Sequence, residues 1–241
     1  MRHVLESIME GSCSVALWLK EQSGRVVLNV VFIDIFNIIT AQYSFSNAQV
    51  IIDHLAPRQY GVCIDAMRTV RILRAITENS NVDSMTIHIN SSNHQVLISD
   101  GDKKEVDVTA EETLSLDYTE LFERKLGDLQ RVELQNTLFN TIVTVMCLGG
   151  IQANIVLADG KLTIHSGPGP CQLSFSRPYP VSPNKESRIV LYTRYLKYLA
   201  HLLNQCQQIY IHIDKNEPLW VTGVIQNSVQ VTTVVAVTSF F

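Results

Sequence analysis

The sequence predicts an α+β fold of two similar domains in tandem, each built of antiparallel sheets with two helices, and three observations carry that expectation. Most of the chain alternates at period two in short runs rich in β-branched residues, the pattern of half-buried strands. Apolar spacing of three and four residues, which gives a helix one buried face, is confined to a few stretches. The third observation is a repeat: Ile87-His88-Ile89 and Ile211-His212-Ile213 lie 124 residues apart, each just after a helical stretch. That offset is half the chain and far exceeds the roughly 20–50 residues of a solenoid unit, so it marks two domains rather than an array.

Length and composition agree. At 241 residues and 27.1 kDa, the chain accommodates one large domain or two of ordinary size. With 46% hydrophobic and 17% charged residues it has material for a core and is neither disordered nor fibrous. Its net charge of −4 excludes a polycation that holds nucleic acid by bulk charge, so any such contact must be a local patch. Five widely spaced cysteines (Cys13, Cys63, Cys147, Cys171, Cys206) contain no C-x-x-C pair, and are expected to be reduced and mostly buried in an intracellular protein. The N-terminal MRHVLESIMEGSCSVALWLK is interrupted by Glu6, Glu10 and Lys20 and lacks the apolar core of a signal peptide. The apolar stretch from Val26 to Ala41 is short for a membrane span and contains Asn29, Asp34 and Asn37, so it reads as buried strands.

Taken in order, the strand runs are RVVLNVVFIDIF, AQVIIDHL, YGVCI, SMTIHINSS, HQVLISDG, ANIVLADG, KLTIHSG, QIYIHID and PLWVTGVIQ. The Asp-Gly pair at the end of ADG (158–160) favours a two-residue hairpin turn, so strands near 151–157 and 161–166 should be antiparallel neighbours. A helix is expected from Asp65 to Glu78, with Asp65 as cap and Met67, Val70, Leu73 and Ile76 on its apolar side. A second is expected over 132–150, ended by Gly149-Gly150, and a third from Val190 to Cys206, with Tyr192, Tyr195, Leu196, Leu199, Leu202 and Leu203 as its stripe. The first twenty-odd residues hold a fourth.

The halves meet near DYTELFERKLGDLQ, giving domains over 1–116 and 131–241 and a connector over 117–130. The stretch before it carries Asp100, Asp102, Glu105, Asp107, Glu111 and Glu112 and reads as a solvated loop. Leu121, Phe122 and Leu126 are apolar residues in this polar setting; they either pin the connector to the domains or form part of a docking surface.

Signs of catalysis are scarce. The seven histidines show no metal-ligand spacing, and His88, His165 and His212 alternate with Ile in strands, as solvent-facing residues would. There is no G-x-S-x-G, P-loop or G-x-G-x-x-G. SGPGP (166–170) lacks the amide donors of a phosphate cradle at Pro168 and Pro170, and Ser99-Asp100-Gly101-Asp102 lacks the remaining ligands of an EF-hand. Neither enzymatic activity nor a cofactor or metal is expected.

The cations are better organised. Arg68, Arg71 and Arg74 recur every three residues on one expected helix. Arg194, Lys197 and His201 fall within an arc of roughly 60° on another. The two rows occupy equivalent places in the two repeats of an otherwise acidic chain. Such rows meet phosphates without reading bases.

On these features the chain resembles the sliding clamps of the proliferating cell nuclear antigen family. SRIVLYTRYLKYLAHLLNQCQQIYIHIDKNEPLWVTGVI is similar to the family's closing helix, strand, turn and Pro-Leu-hydrophobic-hydrophobic strand, here Pro218-Leu219-Trp220-Val221. GVCIDAMRTVRILRAITENSNVDSMTIHI resembles its second helix with flanking strands, and MEGSC its first strand-to-helix turn, which places a first helix at about 12–23 with Lys20 on it. The resemblance implies the DNA-clamp fold and a processivity factor: a ring around duplex DNA, helices lining the hole, that tethers a DNA polymerase or other replication and repair proteins. Lys20, Arg68, Arg71, Arg74, Arg194, Lys197 and His201 would face DNA; Pro218 would border a partner pocket under the connector, where Leu121, Phe122 and Leu126 match by location. The implied location is the nucleus or the site of DNA replication.

Two departures qualify it. The helix near 133–148 has no Lys or Arg, and the sequence ends at Ser239-Phe240-Phe241 without a polar tail. The alternatives are a divergent or viral homotrimeric clamp, a subunit of a heterotrimeric DNA-damage checkpoint clamp, and a clamp fold used without a ring as an interaction or transcription factor.

Overall fold

The structure, a computed structural model, describes residues 14–22, 25–33, 38–45, 49–53, 59–77, 86–90, 92–93, 95–99, 106–109, 112–113, 122, 126, 129–167, 173–178, 186–214, 217–225, 229–235 and 239–240. The chain divides into two compact units, one of residues 1–37 and 41–122, the other of residues 38–40 and 123–241. The MEGSC turn, SGPGP from Pro168 onward, Asp100–Asp102, Leu121, Cys13 and Cys171 lie outside the described residues, as does most of the 117–130 segment.

The N-terminal unit contains β1 (Ser14–Gln22), β2 (Arg25–Ile33), β3 (Ile39–Phe45), β4 (Gln49–Asp53), β5 (Gln59–Asp65), α1 (Ala66–Thr77), β6 (Thr86–Asn90), β7 (Gln95–Ser99), β8 (Val106–Thr109) and β9 (Glu112–Thr113). β1 pairs antiparallel with β2 on one side and β5 on the other, with β3 beside β2 and β9 beside β5. The order β4-β6-β7-β8 forms a second sheet.

The helix expected at 12–23 is therefore strand β1, and Lys20 sits on a strand. The alternation was hidden because both faces are apolar: Val15, Leu17 and Leu19 are buried on one side, Ala16 and Trp18 on the other. On that second face Ala16, Trp18 and Val31 form a small cluster against which Cys63 and Phe122 pack.

The C-terminal unit contains β10 (Gln130–Gln135), α2 (Asn136–Gly149), β11 (Gln152–Ala158), β12 (Lys161–Ser166), β13 (Ser174–Pro178), β14 (Ser187–Tyr192), α3 (Thr193–Leu202), β15 (Gln208–Ile213), β16 (Leu219–Ile225), β17 (Val229–Val235) and β18 (Ser239–Phe240). One sheet runs β10-β15-β16-β17, the other β13-β12-β11-β14-β18. The expected hairpin is present: Ala158 pairs with Lys161, and Asp159 (φ 51°) and Gly160 (φ 70°) both take the left-handed conformation that a tight two-residue turn requires. The helices expected at 132–150 and 190–206 both begin later, because their first residues continue as β10 and β14. Phe139, Ile142, Val143 and Met146 of α2, with Tyr195, Leu196, Leu199 and Leu202 of α3, are buried.

The order of pieces is the same in both units: a hairpin (β1-β2, β11-β12), a strand beside its first arm (β5, β14), a helix (α1, α3), then three strands (β6-β7-β8, β15-β16-β17). The units differ at one edge. β10 lies antiparallel to β15, whereas its place beside β6 is taken by β4, which runs parallel.

Three further expectations are corrected. Met67 is 49% exposed and does not belong to the buried side of α1, on which Thr69 and Val70 lie; the side chains of Leu73 and Ile76 are outside the description. His212 is buried, its Nε2 3.0 Å from Thr222 Oγ1, between its register partners Arg131 of β10 and Trp220 of β16. The cysteines are not uniformly interior: Cys206 is buried, Cys63 half-buried and Cys147 exposed, all as free thiols.

Candidate nucleic-acid interface

On α1, Asp65 caps the helix as its sequence predicts: the Arg68 amide donates to Asp65 Oδ1 at 2.6 Å, and Thr69 Oγ1 donates to the Asp65 carbonyl at 2.6 Å. Burial of Thr69 and Val70 fixes the rotation of the helix, which leaves Arg68, Arg71 and Arg74 exposed. Successive members of this row are 300° apart at 3.6 residues per turn, so the row spans an arc of about 120°. Arg71 also reaches back to Met67, with Nη2 3.5 Å from Sδ.

The second row stands on a stitched pair of helices. At one end Asn136 Nδ2, at the start of α2, donates to the carbonyls of Leu203 (3.0 Å), Asn204 (2.8 Å) and Cys206 (2.6 Å), just past the end of α3. At the other end Thr193, which opens α3, donates from its amide to Ile151 O (2.9 Å) and from its hydroxyl to Gly150 O (3.0 Å), just past α2. The helices are thus antiparallel neighbours, and their outer faces form one surface.

That surface is electrically one-sided. α3 contributes Arg194 and Lys197, both exposed, and His201, half-buried. α2 contributes Thr137, Thr141, Thr144, Cys147 and Leu148 and no cation. Thr141 and Thr144 donate their hydroxyl protons to the carbonyls of Thr137 and Asn140, both at 2.9 Å. Cys147 lies between the helices, its Sγ 3.6 Å from Thr193 O; burial raises its pKa, and the Lys197 charge offsets part of that rise.

Arg194 is exposed but anchored. Its Nη2 donates to the Tyr195 hydroxyl at 2.7 Å, and its guanidinium carbon lies 4.7 Å from the Tyr195 ring centre and 5.3 Å from that of Tyr192. The two rings meet edge to face at 6.1 Å. The sequence showed the basic row but gave no sign of this contact, since adjacent residues on a helix point about 100° apart.

The remaining candidates fall elsewhere. Lys20 stands on β1 and not on the helix expected to carry it, and is half-buried with its amine 5.4 Å from the Trp18 ring centre. Phe122 is half-buried against its own unit, Leu126 accepts from the Leu129 amide at 3.1 Å in a turn, and Pro218 is half-buried just before β16. Arg131, not singled out in the sequence, stacks 3.7 Å from the Tyr210 ring centre and faces His212 across the β10–β15 pair. Among the described residues no group of three His, Cys, Asp or Glu side chains is placed to hold a metal, and no helix is long and apolar enough to cross a membrane.

The chain matches no known protein-family profile and no curated protein. Among solved structures it is similar to the proliferating cellular nuclear antigen of Entamoeba histolytica, at 11% identity over 99% of this chain and 94% of that one, with a TM-score of 0.66. Mostly antiparallel sheets, few helices and this likeness together show that the chain has the α+β fold of the proliferating cell nuclear antigen clamps.

Proposed function

We propose that this chain is a non-enzymatic sliding-clamp subunit that holds duplex DNA through its phosphates and tethers replication or repair proteins to it. One observation carries the reading: equivalent helices of the two units, α1 and α3, each expose a row of cations, in a clamp fold whose net charge is −4. Phosphate contacts of this kind give sequence-independent affinity, which a sliding protein needs.

In this reading the subunits assemble by strand addition. Among the described residues β13 stands at the end of its sheet and pairs with β12 alone, with Ser174, Ser176, Arg177 and Pro178 exposed. Leu121, Leu126 and Pro218 belong to the docking surface for client proteins, and the chain works in the nucleus. Phe122 is better supported as a packing residue than as a docking one.

The uncharged outer face of α2 favours a second reading, a subunit of a heteromeric checkpoint-type clamp or a factor that forms no ring. The test is polymerase processivity on primed circular DNA with Arg71→Glu combined with Lys197→Glu. The clamp reading expects loss of the stimulation given by the unaltered chain; unchanged stimulation overturns it.

A further inference from the structure

Resting on the DNA reading above, we propose that Tyr195 is a positioning residue for DNA binding: its buried phenol holds the exposed Arg194 guanidinium in the pose that meets a phosphate. An unrestrained arginine on a helix surface loses rotamer freedom when it captures an anion, at roughly 0.5–1.5 kcal/mol for each immobilised long side chain, or about two- to tenfold in affinity. Arg194 has much of that freedom removed in advance. Its Nη2 donates to the Tyr195 hydroxyl at 2.7 Å, and its guanidinium is attracted by the faces of two rings. Tyr195 is 5% exposed, and its ring is fixed by the helix core and by the edge contact with Tyr192, so the anchor itself does not move.

Position and charge separate experimentally. The number of neutralised phosphates sets the slope of log affinity against log salt, about −0.9 per phosphate on duplex DNA, whereas positioning changes affinity at every salt concentration alike. Arg194→Gln removes a charge. Tyr195→Phe keeps the ring and every charge and removes only the hydroxyl.

The experiment is fluorescence anisotropy of a labelled duplex against the full-length chain, its two variants and their double variant, at several salt concentrations, with thermal melting to confirm folding. The expected result is a two- to tenfold weaker affinity for Tyr195→Phe with an unchanged salt slope, and a slope shallower by about 0.9 for Arg194→Gln. In the Arg194→Gln background Tyr195→Phe should have no further effect, because the phenol then has nothing to hold. The proposal is overturned if Tyr195→Phe binds as the unaltered chain does, or if its effect is the same with and without Arg194. If Arg194→Gln itself alters neither affinity nor slope, phosphate contact by Arg194 is overturned and the role of Tyr195 falls with it, while the DNA reading then rests on the other cations of the two rows.

Discussion

Asn136 shows how much one side chain holds together. It is buried at the start of α2, its amide nitrogen is shared among the carbonyls of Leu203, Asn204 and Cys206, and its oxygen accepts from Asn140 Nδ2 at 2.8 Å. Asn136→Ala removes this side-chain donor from all three carbonyls, of which that of Leu203 keeps the Cys206 amide, and the expected cost is about 2–4 kcal/mol, read from urea unfolding. His212 acts through pH. Burial, followed by the Arg131 guanidinium, lowers its pKa from 6.5 to about 4, so between these values the unfolded chain binds a proton that the folded chain refuses. The stability contributed by the neutral imidazole is fully present above pH 6.5 and falls as pH drops toward 4. The urea midpoint of His212→Gln should therefore depend less on pH across that window than that of the unaltered chain; parallel curves would contradict this. Neither residue was legible in the sequence, because a polar residue in a strand or at a helix start reads as surface until its neighbours are known. The arginine row was legible, since charge at every third position survives any choice of helix boundary.

At the scale of elements, signals held where chemistry demands one residue type. Asp65 was readable as a cap and Asp159-Gly160 as a hairpin turn, because few other residues satisfy an exposed helix amide or a left-handed backbone. β1 was misread because it is buried on both faces, which erases alternation, and β10 because VELQ suits a strand as well as a helix. Close packing between elements is likewise invisible in one dimension. A Cβ on Gly223 of β16 would lie 2.7 Å from Cys206 Sγ, so β16 approaches the turn after α3 as closely as a glycine allows. Gly223→Ala should destabilise by about 1–3 kcal/mol, and adding Cys206→Ala should return part of the loss; chemical denaturation of the two single variants and the double variant measures the coupling. Burial pushes the Cys206 thiol up to about 12, which makes it a packing group and not a nucleophile.

At the scale of the molecule, the repeat was legible from Ile-His-Ile recurring after α1 and α3, and the order of strands and helices is the same in both units. The parallel placement of β4 was not, because nothing in a strand's own sequence states the direction of its neighbour. Assembly is open to measurement. A solution mass near three times 27.1 kDa by light scattering would accord with a homotrimeric ring, and a monomer with a heteromeric or ring-less protein. Among the described helical residues five cations are exposed, Arg68, Arg71, Arg74, Arg194 and Lys197, so if each meets one phosphate and no other residue contributes, the salt slope of DNA binding is about −4.5 per chain. The central claim is that DNA is held by encirclement through weak phosphate contacts. It is tested most directly by retention on a nicked circular plasmid, with the appropriate loader or partner subunits present, before and after the circle is cut. The account predicts that the protein stays on the circle at a salt concentration that abolishes ordinary phosphate binding and runs off once the DNA is linear. Equal retention on circle and linear DNA, or on neither, would contradict it.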